Sequence, residues 1–108
     1  MTKRELLELC AKATGRTEYT WDEDVEGMSI IYDSPKSDLY WNPIDNDADC
    51  FRMETQMRVA LVWLLDHPVV GAAIGQNFFA YEKFTDHADE GAARRWASCR
   101  AVAATVKP

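Results

Sequence analysis

The sequence predicts an α+β fold: three helices packed with a small antiparallel sheet of about four or five strands, as an α/β sandwich. Apolar residues recur at helical spacing near both ends and in the middle of the chain, each time after a residue that can cap a helix. Between these segments lie short runs rich in β-branched and aromatic residues, separated by turn-forming residues. A sheet with a helical layer buries both kinds of apolar face.

The 108 residues predict one domain spanning 1–108, because a core of this size cannot divide into two independently stable halves. A hydrophobic content of 47% with 28% charged residues is typical of a globular protein and argues against disorder. The longest apolar run, residues 59–65, is too short to span a bilayer, and the N-terminus lacks the apolar core of a signal peptide. We therefore expect a cytosolic protein.

The first helix is predicted from a capping box. The Thr2 hydroxyl can accept a hydrogen bond from the Glu5 amide, and the Glu5 carboxylate can reach back to Thr2. Gly15 is placed to end the helix in a left-handed conformation. The apolar stripe of this helix consists of Leu6, Leu9, Cys10 and Ala13, widened by Leu7.

Short strands are predicted next. Residues 17–21 are β-prone, and residues 28–32 and 39–41 form two strands of a hairpin around the turn-forming segment 33–38. An acidic cluster, expected to be a loop, separates the first two strands. It consists of Asp22, Glu23, Asp24 and Glu26.

The chain is organised around residues 41–57, where a strand end, a loop, acidic residues and an amphipathic helix follow one another. Asn42 precedes a proline, which disfavours helix there, and the aspartates Asp45, Asp47 and Asp49 stand where a helix N-terminus favours negative charge. The helix is expected to bury one stripe against the sheet. That stripe consists of Cys50, Phe51, Met53, Glu54 and Met57.

The second half of the chain predicts a meander and a closing helix. Residues 59–65 are predicted to be a buried strand, with helix as the competing interpretation; residues 69–74 are ambiguous, 75–77 form a turn and 78–84 a strand. A long helix from Glu90 onward closes the chain, with Trp96 as its anchor on the sheet. Its stripe consists of Ala92, Trp96, Cys99, Val102, Ala103 and Val106.

Metal and catalytic motifs are incomplete. The alternating aspartates of residues 45–49 are typical of a calcium loop, but Cys50 replaces the required glycine and Gln56 the closing glutamate, so helix capping explains them better. His67 and His87 are isolated and have no partner at metal-ligand spacing. We expect no metal, no cofactor and no enzymatic activity; a small hydrolase using His67 or His87 with nearby carboxylates is the alternative.

Charge gives the main functional expectation. The formal net charge of −6 argues against direct nucleic-acid binding, which needs cations that face phosphates. A basic protein surface is the better partner, contacted through the two acidic clusters, Asp22, Glu23, Asp24 and Glu26 with Asp45, Asp47 and Asp49. Solubility alone also explains such a charge. No membrane partner is expected.

A second binding hypothesis uses the arginines of the last helix, because guanidinium groups suit phosphate geometry. A nucleotide pocket, placed at a dimer interface, would be lined by Arg94, Arg95, Arg100, Trp21, Tyr40 and Trp41. A polar helix face is the simpler explanation of the arginines. The three cysteines, Cys10, Cys50 and Cys99, each fall on a predicted apolar stripe and are expected to be buried thiols.

Three segments resemble small phage and prophage proteins of the phage ABA-sandwich group: R-E-L-L-E-L-C-A-K-A-T-G near the N-terminus, W-N-P-I-D-N-D-A-D-C-F-R-M in the middle, and A-A-R-R-W-A-S-C-R-A-V-A-A near the end. The resemblance touches both ends and the middle of the chain. It implies a helix–sheet–helix sandwich, encoded by a phage and made in the cytoplasm of a bacterial host. The segment 61–74 is unusually apolar for this pattern, so it is either core or an interface, and a homodimer is compatible with it.

Together these observations predict a phage accessory protein that acts by binding. The leading hypothesis is an anti-defence inhibitor, similar to an anti-CRISPR, which uses acidic surface to occupy a nucleic-acid-binding groove of a host protein. The alternatives are a sponge that sequesters a nucleotide immune signal and the hydrolase named above.

Overall fold

A computed structural model describes residues 1–16, 19–23, 27–30, 40–64, 66–76 and 78–106. Within these residues the chain has the predicted α+β class. Its elements are α1 (Lys3–Ala13), β1 (Tyr19–Asp22), β2 (Gly27–Ile30), β3 (Tyr40–Trp41), α2 (Asp47–Met57), β4 (Ala60–Trp63), β5 (Val69–Ile74), β6 (Phe78–Lys83), a 3-10 turn (Phe84–Asp86) and α3 (Glu90–Ala104).

The predicted single sheet of four or five strands is not confirmed. In the described part of the chain the strands form two antiparallel sheets of three, sheet A with the order β1-β2-β3 and sheet B with the order β4-β5-β6. In sheet A, Trp21 pairs with Met28 and Met28 with Trp41, so the predicted pairing of the second and third strands is confirmed. The predicted turn 33–38, residues 17–18, and the strand positions 31, 32 and 39 lie outside the described residues.

Sheet B is the predicted antiparallel meander. Residues 59–65 do supply a strand, but the prediction that it is buried is wrong, because Val62 and Trp63 are 40% and 45% exposed. β4 is an edge strand: Val62 lies on the uncovered outer face, and on the other face α3 packs on β5 and β6, which leaves Trp63 at the margin. Its apolar run therefore does not imply burial on both faces. The ambiguous residues 69–74 form β5, the central strand, and Gly75 begins the predicted turn with φ +61°.

Helix α3 is the central element of the fold. It lies on β5 and β6 with one side and contacts α1 and α2 with the other. The expectation that all three helices rest on a sheet is therefore wrong, since α2 packs against α3. For the same reason the predicted α2 stripe is only partly right: Cys50, Met53 and Glu54 are buried, whereas Phe51 is 66% exposed.

Two apolar cores lie on the two sides of α3. The first core joins α1, α2, α3 and Trp41 of sheet A; the second fills the space between α3 and sheet B. In the second core the helix contributes only alanines, and small side chains let a helix approach a sheet closely. The buried members of this core are Val70, Ala72, Ala80, Ala93, Ala97 and Ala101.

The predicted stripe of α3 describes one of its two buried faces. Cys99, Val102 and Ala103 are buried in the first core, as expected. The alanine face toward sheet B was missed, because three alanines give a weak apolar signal. Trp96, the expected anchor on the sheet, is half-buried and packs at the margin of the first core.

Local signals place the helix ends well. The Thr2 hydroxyl accepts from the Glu5 amide at 3.1 Å, and Gly15 follows α1 with φ +83°. α2 is capped by Asn46 and α3 by Asp89, whose side chains accept amide hydrogen bonds at 2.8 and 2.7 Å. Among the described residues, no helix has the length and apolar character needed to cross a membrane.

Candidate functional site

The aspartates of residues 45–49 lie where the sequence places them, at the start of α2, and two of them are tied to neighbours there. Asp45 accepts a 2.9 Å hydrogen bond from the Asn42 side-chain amide and forms an ion pair with Lys3. Asp49 accepts from the Asn42 backbone N–H at 2.9 Å and from Arg52 at 3.2 Å. These bonds fix the loop that leads from sheet A into α2.

Asp47 connects this loop to α3. Its Oδ1 accepts from Arg95 at 2.6 Å and lies 3.4 Å from Arg94. The hydrogen bond from Arg95, reinforced by both positive charges, lowers the pKa of Asp47 below its ordinary value against the opposing effect of burial. Arg95 also donates a 2.8 Å hydrogen bond to the Ile44 carbonyl. The acidic cluster therefore has a structural role, although Asp45 and Asp47 keep 52% and 72% of their side chains exposed.

The other predicted acidic cluster lies only partly within the described residues. Asp22 ends β1, and Glu23 stands in the turn that follows with 80% of its side chain exposed. Its carboxylate lies 3.9 Å from Arg4, a separation at which an exposed ion pair contributes little. Asp24 and Glu26 lie outside the described residues.

The three arginines proposed for a nucleotide pocket are divided between two places. Arg94 and Arg95 meet Asp47 at the start of α2, whereas Arg100 donates 3.1 Å hydrogen bonds to the Tyr81 carbonyl and to Glu82 on β6. The cause is helical geometry: Arg94 and Arg100 are six residues apart on α3, which rotates their side chains about 120° from one another.

The aromatic residues proposed for the same pocket lie in sheet A. Trp41 is buried under the Arg16 guanidinium, 4.3 Å from its ring, and Trp21 faces Arg4 at 5.8 Å. Tyr40 pairs with Ser29 through its backbone, and its side chain lies outside the described residues. These tryptophans therefore contact arginines of α1 and of the segment after it, not those of α3.

The two histidines differ in their surroundings. His67 is exposed, and its carbonyl accepts from the Val69 amide at 2.7 Å. The His87 side chain is 11% exposed, with Nε2 3.6 Å from a Glu82 carboxylate oxygen and its ring 5.8 Å from that of Trp96. At 3.6 Å the histidine and the carboxylate are neighbours without a hydrogen bond.

A buried polar junction holds α2 against α3. The Ser98 hydroxyl, fully buried, donates a 2.6 Å hydrogen bond to Oε2 of Glu54, and Arg94 Nε lies 3.4 Å from the same oxygen. Burial, together with the nearby Glu54 charge, raises the pKa of the Cys50 thiol from 9.0 to about 12. The sequence placed Glu54 on the buried stripe but missed Ser98; a serine between Ala97 and Cys99 in an apolar helix was the available signal.

The three cysteines are fully buried free thiols in the first core, as predicted. Cys10 Sγ donates to the Cys99 carbonyl at 3.2 Å, and burial with the neighbouring Cys10 thiol raises the pKa of Cys99. Thiols held protonated in this way are unreactive. Within the described ranges, no group of three His, Cys, Asp or Glu side chains is placed to bind a metal ion.

Sequence reasoning missed one charged surface, which we call the acidic end. The loop after β4 and the turn after β6 meet there, since the Phe84 amide donates a 2.8 Å hydrogen bond to the Pro68 carbonyl. Four exposed carboxylates define this end, and none forms an ion pair with another described residue. They are Asp66, Asp86, Asp89 and Glu90. The run Asp86-His87-Ala88-Asp89-Glu90 was its signal in the sequence.

Apolar side chains border the acidic end. Trp63, at the end of β4, is 45% exposed with its ring 5.9 Å from that of Phe84, and Leu64 is 38% exposed. A large aromatic group beside exposed negative charge can contact a protein surface that is both basic and apolar.

Comparison with known proteins identified no relative: no family model, curated protein or solved structure matches the chain.

Proposed function

We propose that this protein acts without catalysis, by binding a basic surface of another protein. The partner is a nucleic-acid-binding component of a bacterial host, and the chain is a phage-encoded anti-defence inhibitor of the anti-CRISPR kind. The acidic end occupies the groove in which the partner would hold phosphates.

The observation that carries this proposal is the exposed charge of the acidic end, where Asp89 caps α3 but no carboxylate pairs with a cation of the described residues. Asp66, Asp86, Asp89 and Glu90 are exposed and form no ion pair within the described structure. The aspartates at the start of α2 are instead bonded to Lys3, Arg52, Arg94 and Arg95. A partner can therefore pair with the acidic end without first breaking internal ion pairs.

The exposed Trp63 supports a protein partner in particular. Charged pairs at the rim of an interface mainly speed association and select the partner, whereas buried aromatic groups supply most of the affinity. Trp63 stands at the end of the same strand that leads to Asp66. Asp45 and Asp47 at the start of α2 would add to the negative charge of the protein rather than form the centre of this contact.

The test begins with affinity purification of the tagged chain from infected bacteria. We expect a host protein that binds nucleic acid, that is released by added DNA or RNA, and whose capture weakens as salt is raised. If no host protein is captured above background, the proposal loses its support. The same holds if the captured partner binds this protein and nucleic acid at the same time.

Matched variants locate the contact. Glu90→Lys reverses charge at the acidic end, whereas Glu5→Lys makes the same change in the first turn of α1. Both residues lie in the first turn of a helix, so effects on stability should be similar. We expect about tenfold weaker partner binding for Glu90→Lys and little change for Glu5→Lys. Equal losses would show that only net charge matters.

One observation favours a second candidate, sequestration of a nucleotide signal. A cavity of about 460 Å³ beside α3 is lined by Trp96 and Arg100 among others. An aromatic ring and a guanidinium group suit a base and a phosphate. A cyclic nucleotide at 100 times its dissociation constant would add about 2.7 kcal/mol of stability, and no thermal shift across a nucleotide panel would reject this function.

A further inference from the structure

The outer face of sheet B, the face turned away from α3, is apolar although no described part of the chain covers it. Strand alternation and register assign eight positions to this face. One side chain among them, Lys83, is charged, and the Tyr81 hydroxyl is the other polar group. The eight positions are Ala60, Val62, Val69, Gly71, Ala73, Phe79, Tyr81 and Lys83.

An exposed face of an antiparallel sheet normally carries polar side chains at such alternating positions. Here Val62, Phe79 and Tyr81 are 40%, 47% and 52% exposed. Contiguous apolar surface of this kind marks an interaction site in a folded protein. The face belongs to strands that the cores already hold in place, so it is presented in a fixed shape.

The outer face of sheet B is not flat. The rings of Phe79 and Tyr81 stand 4.2 Å apart between centroids and lean over Gly71, where an added Cβ would come within 3.0 Å of both. The β4 side of the face carries the smaller residues Ala60 and Val62. The face thus has an aromatic ridge along β6 and a shallow floor along β4.

We propose that the outer face of sheet B binds a second copy of this chain, with a twofold axis parallel to the strands. This symmetry lays β6 of one copy over β4 of the other. Because Phe79 is level with Ala60 and Tyr81 with Val62 in the sheet register, each aromatic ring meets a small residue of the second copy. The aromatic ridge of each copy therefore packs on the shallow floor of the other copy, so the same contact forms twice in the dimer.

Charge complementarity also selects a second copy. The same axis keeps the strand directions of the two copies alike, so Lys83 at the end of β6 comes over the end of the other copy's β4. The loop after β4 carries the exposed Asp66. The one charged side chain of the face thus meets an opposite charge that the chain itself supplies, twice in the dimer.

This dimer does not depend on the proposed function, but it has a consequence for it. The strands of the two copies run in the same direction, and the loops after β4 and β6 leave sheet B at the same end of its strands. Both acidic ends therefore lie at the same end of the dimer. Asp86, Asp89 and Glu90 of the two copies then point toward the same end of the dimer, on opposite sides of the paired sheets. Two such contacts would strengthen binding to a repetitive or symmetric partner.

Analytical ultracentrifugation of the full chain tests the proposal. We expect a dimer at micromolar concentration, and at least about a tenfold larger dissociation constant for Tyr81→Ser or Val62→Lys. Both positions are exposed, so the variants should keep the native circular dichroism spectrum; Phe51→Ser, exposed on α2, is the matched control and should leave the dimer intact. A chain that stays monomeric would overturn the proposal and leave the face to a different protein.

A charge exchange separates this dimer from other arrangements. Lys83→Glu should weaken the dimer, because it places a carboxylate opposite Asp66 of the other copy, and adding Asp66→Lys should restore it. Recovery in the double variant supports the proposed axis, because each substitution alone produces like charges. A dimer indifferent to the single change, or a double variant no better than Lys83→Glu, would overturn this arrangement.

Discussion

The Ser98 hydroxyl of α3 donates a 2.6 Å hydrogen bond to Oε2 of Glu54 on α2, inside the contact between the two helices. Ser98 is fully buried and Glu54 is 8% exposed. A buried carboxylate is costly unless donors surround it, and here Arg94 supplies a positive charge 3.4 Å away. The pair fixes how α2 sits on the central helix.

Ser98→Ala should therefore destabilise the fold. The substitution leaves the buried Glu54 oxygen without its hydroxyl donor, and we expect a loss of about 1–3 kcal/mol in the free energy of unfolding, measured by urea denaturation. Thr55→Ala on α2, next to Glu54 in the chain, is the control, because it removes an exposed 2.9 Å hydrogen bond to the Phe51 carbonyl and should cost under about 0.5 kcal/mol. Equal losses for the two variants would contradict the role assigned to the junction.

Gly71 should resist larger side chains. An added Cβ would approach Phe79 Cζ and Tyr81 Cε1 to 3.0 Å, so the rings must shift. We expect Gly71→Val to cost about 1–3 kcal/mol, with Gly71→Ala at or below the lower end because ring ends can move.

A double variant isolates the cause. In a Phe79→Ala, Tyr81→Ala background the added side chain meets no ring, and the penalty of Gly71→Val should fall clearly in thermal or urea unfolding. An unchanged penalty would show that backbone conformation, not the aromatic rings, requires glycine at this position.

The buried Cys50 thiol predicts a loss of stability at alkaline pH. Its pKa is raised in the folded state from 9.0 to about 12, so the folded chain holds this proton more tightly than the unfolded chain does. The stabilisation is complete below pH 9 and declines as pH rises toward 12. Urea unfolding measured from about pH 8 to about pH 11 should show the decline.

Cys50→Ala separates the thiol from other groups that titrate in this range. The variant loses packing at every pH, but its stability should fall less steeply above pH 9 than that of the native chain. Parallel pH profiles would contradict the prediction. In the native chain all three thiols should also react with a disulfide reagent only as fast as the fold opens, since each is fully buried.

Local chemistry made several parts of the fold predictable. Thr2 begins α1 and Gly15 follows its end because capping bonds and a left-handed conformation involve residues a few positions apart. The burial of Cys10, Cys50 and Cys99 follows from helical spacing in the same way. Of the candidate sites, the aspartates of residues 45–49 could be placed at a helix start, but not paired with the arginines that hold them.

The errors all concern contacts between distant segments. Residues 59–65 have the composition of a buried strand, yet the sequence does not show that no second layer covers β4. Helix α3 has alanines on one side and larger apolar residues on the other. The sequence does not show which side faces the core, and in the structure both sides are buried. The acidic end arises only because the loops after β4 and β6 meet.

The amino-acid sequence by itself determined the helices, the cap of α1, the meander and the α+β class, because hydrogen bonds and apolar periodicity act over one or two turns of chain. Only the tertiary structure decided that α3 stands between two cores, that Glu54 meets Ser98 and that one face of sheet B is left open. These arrangements depend on which layers stack, and stacking is decided by the summed burial of surfaces that lie far apart along the chain.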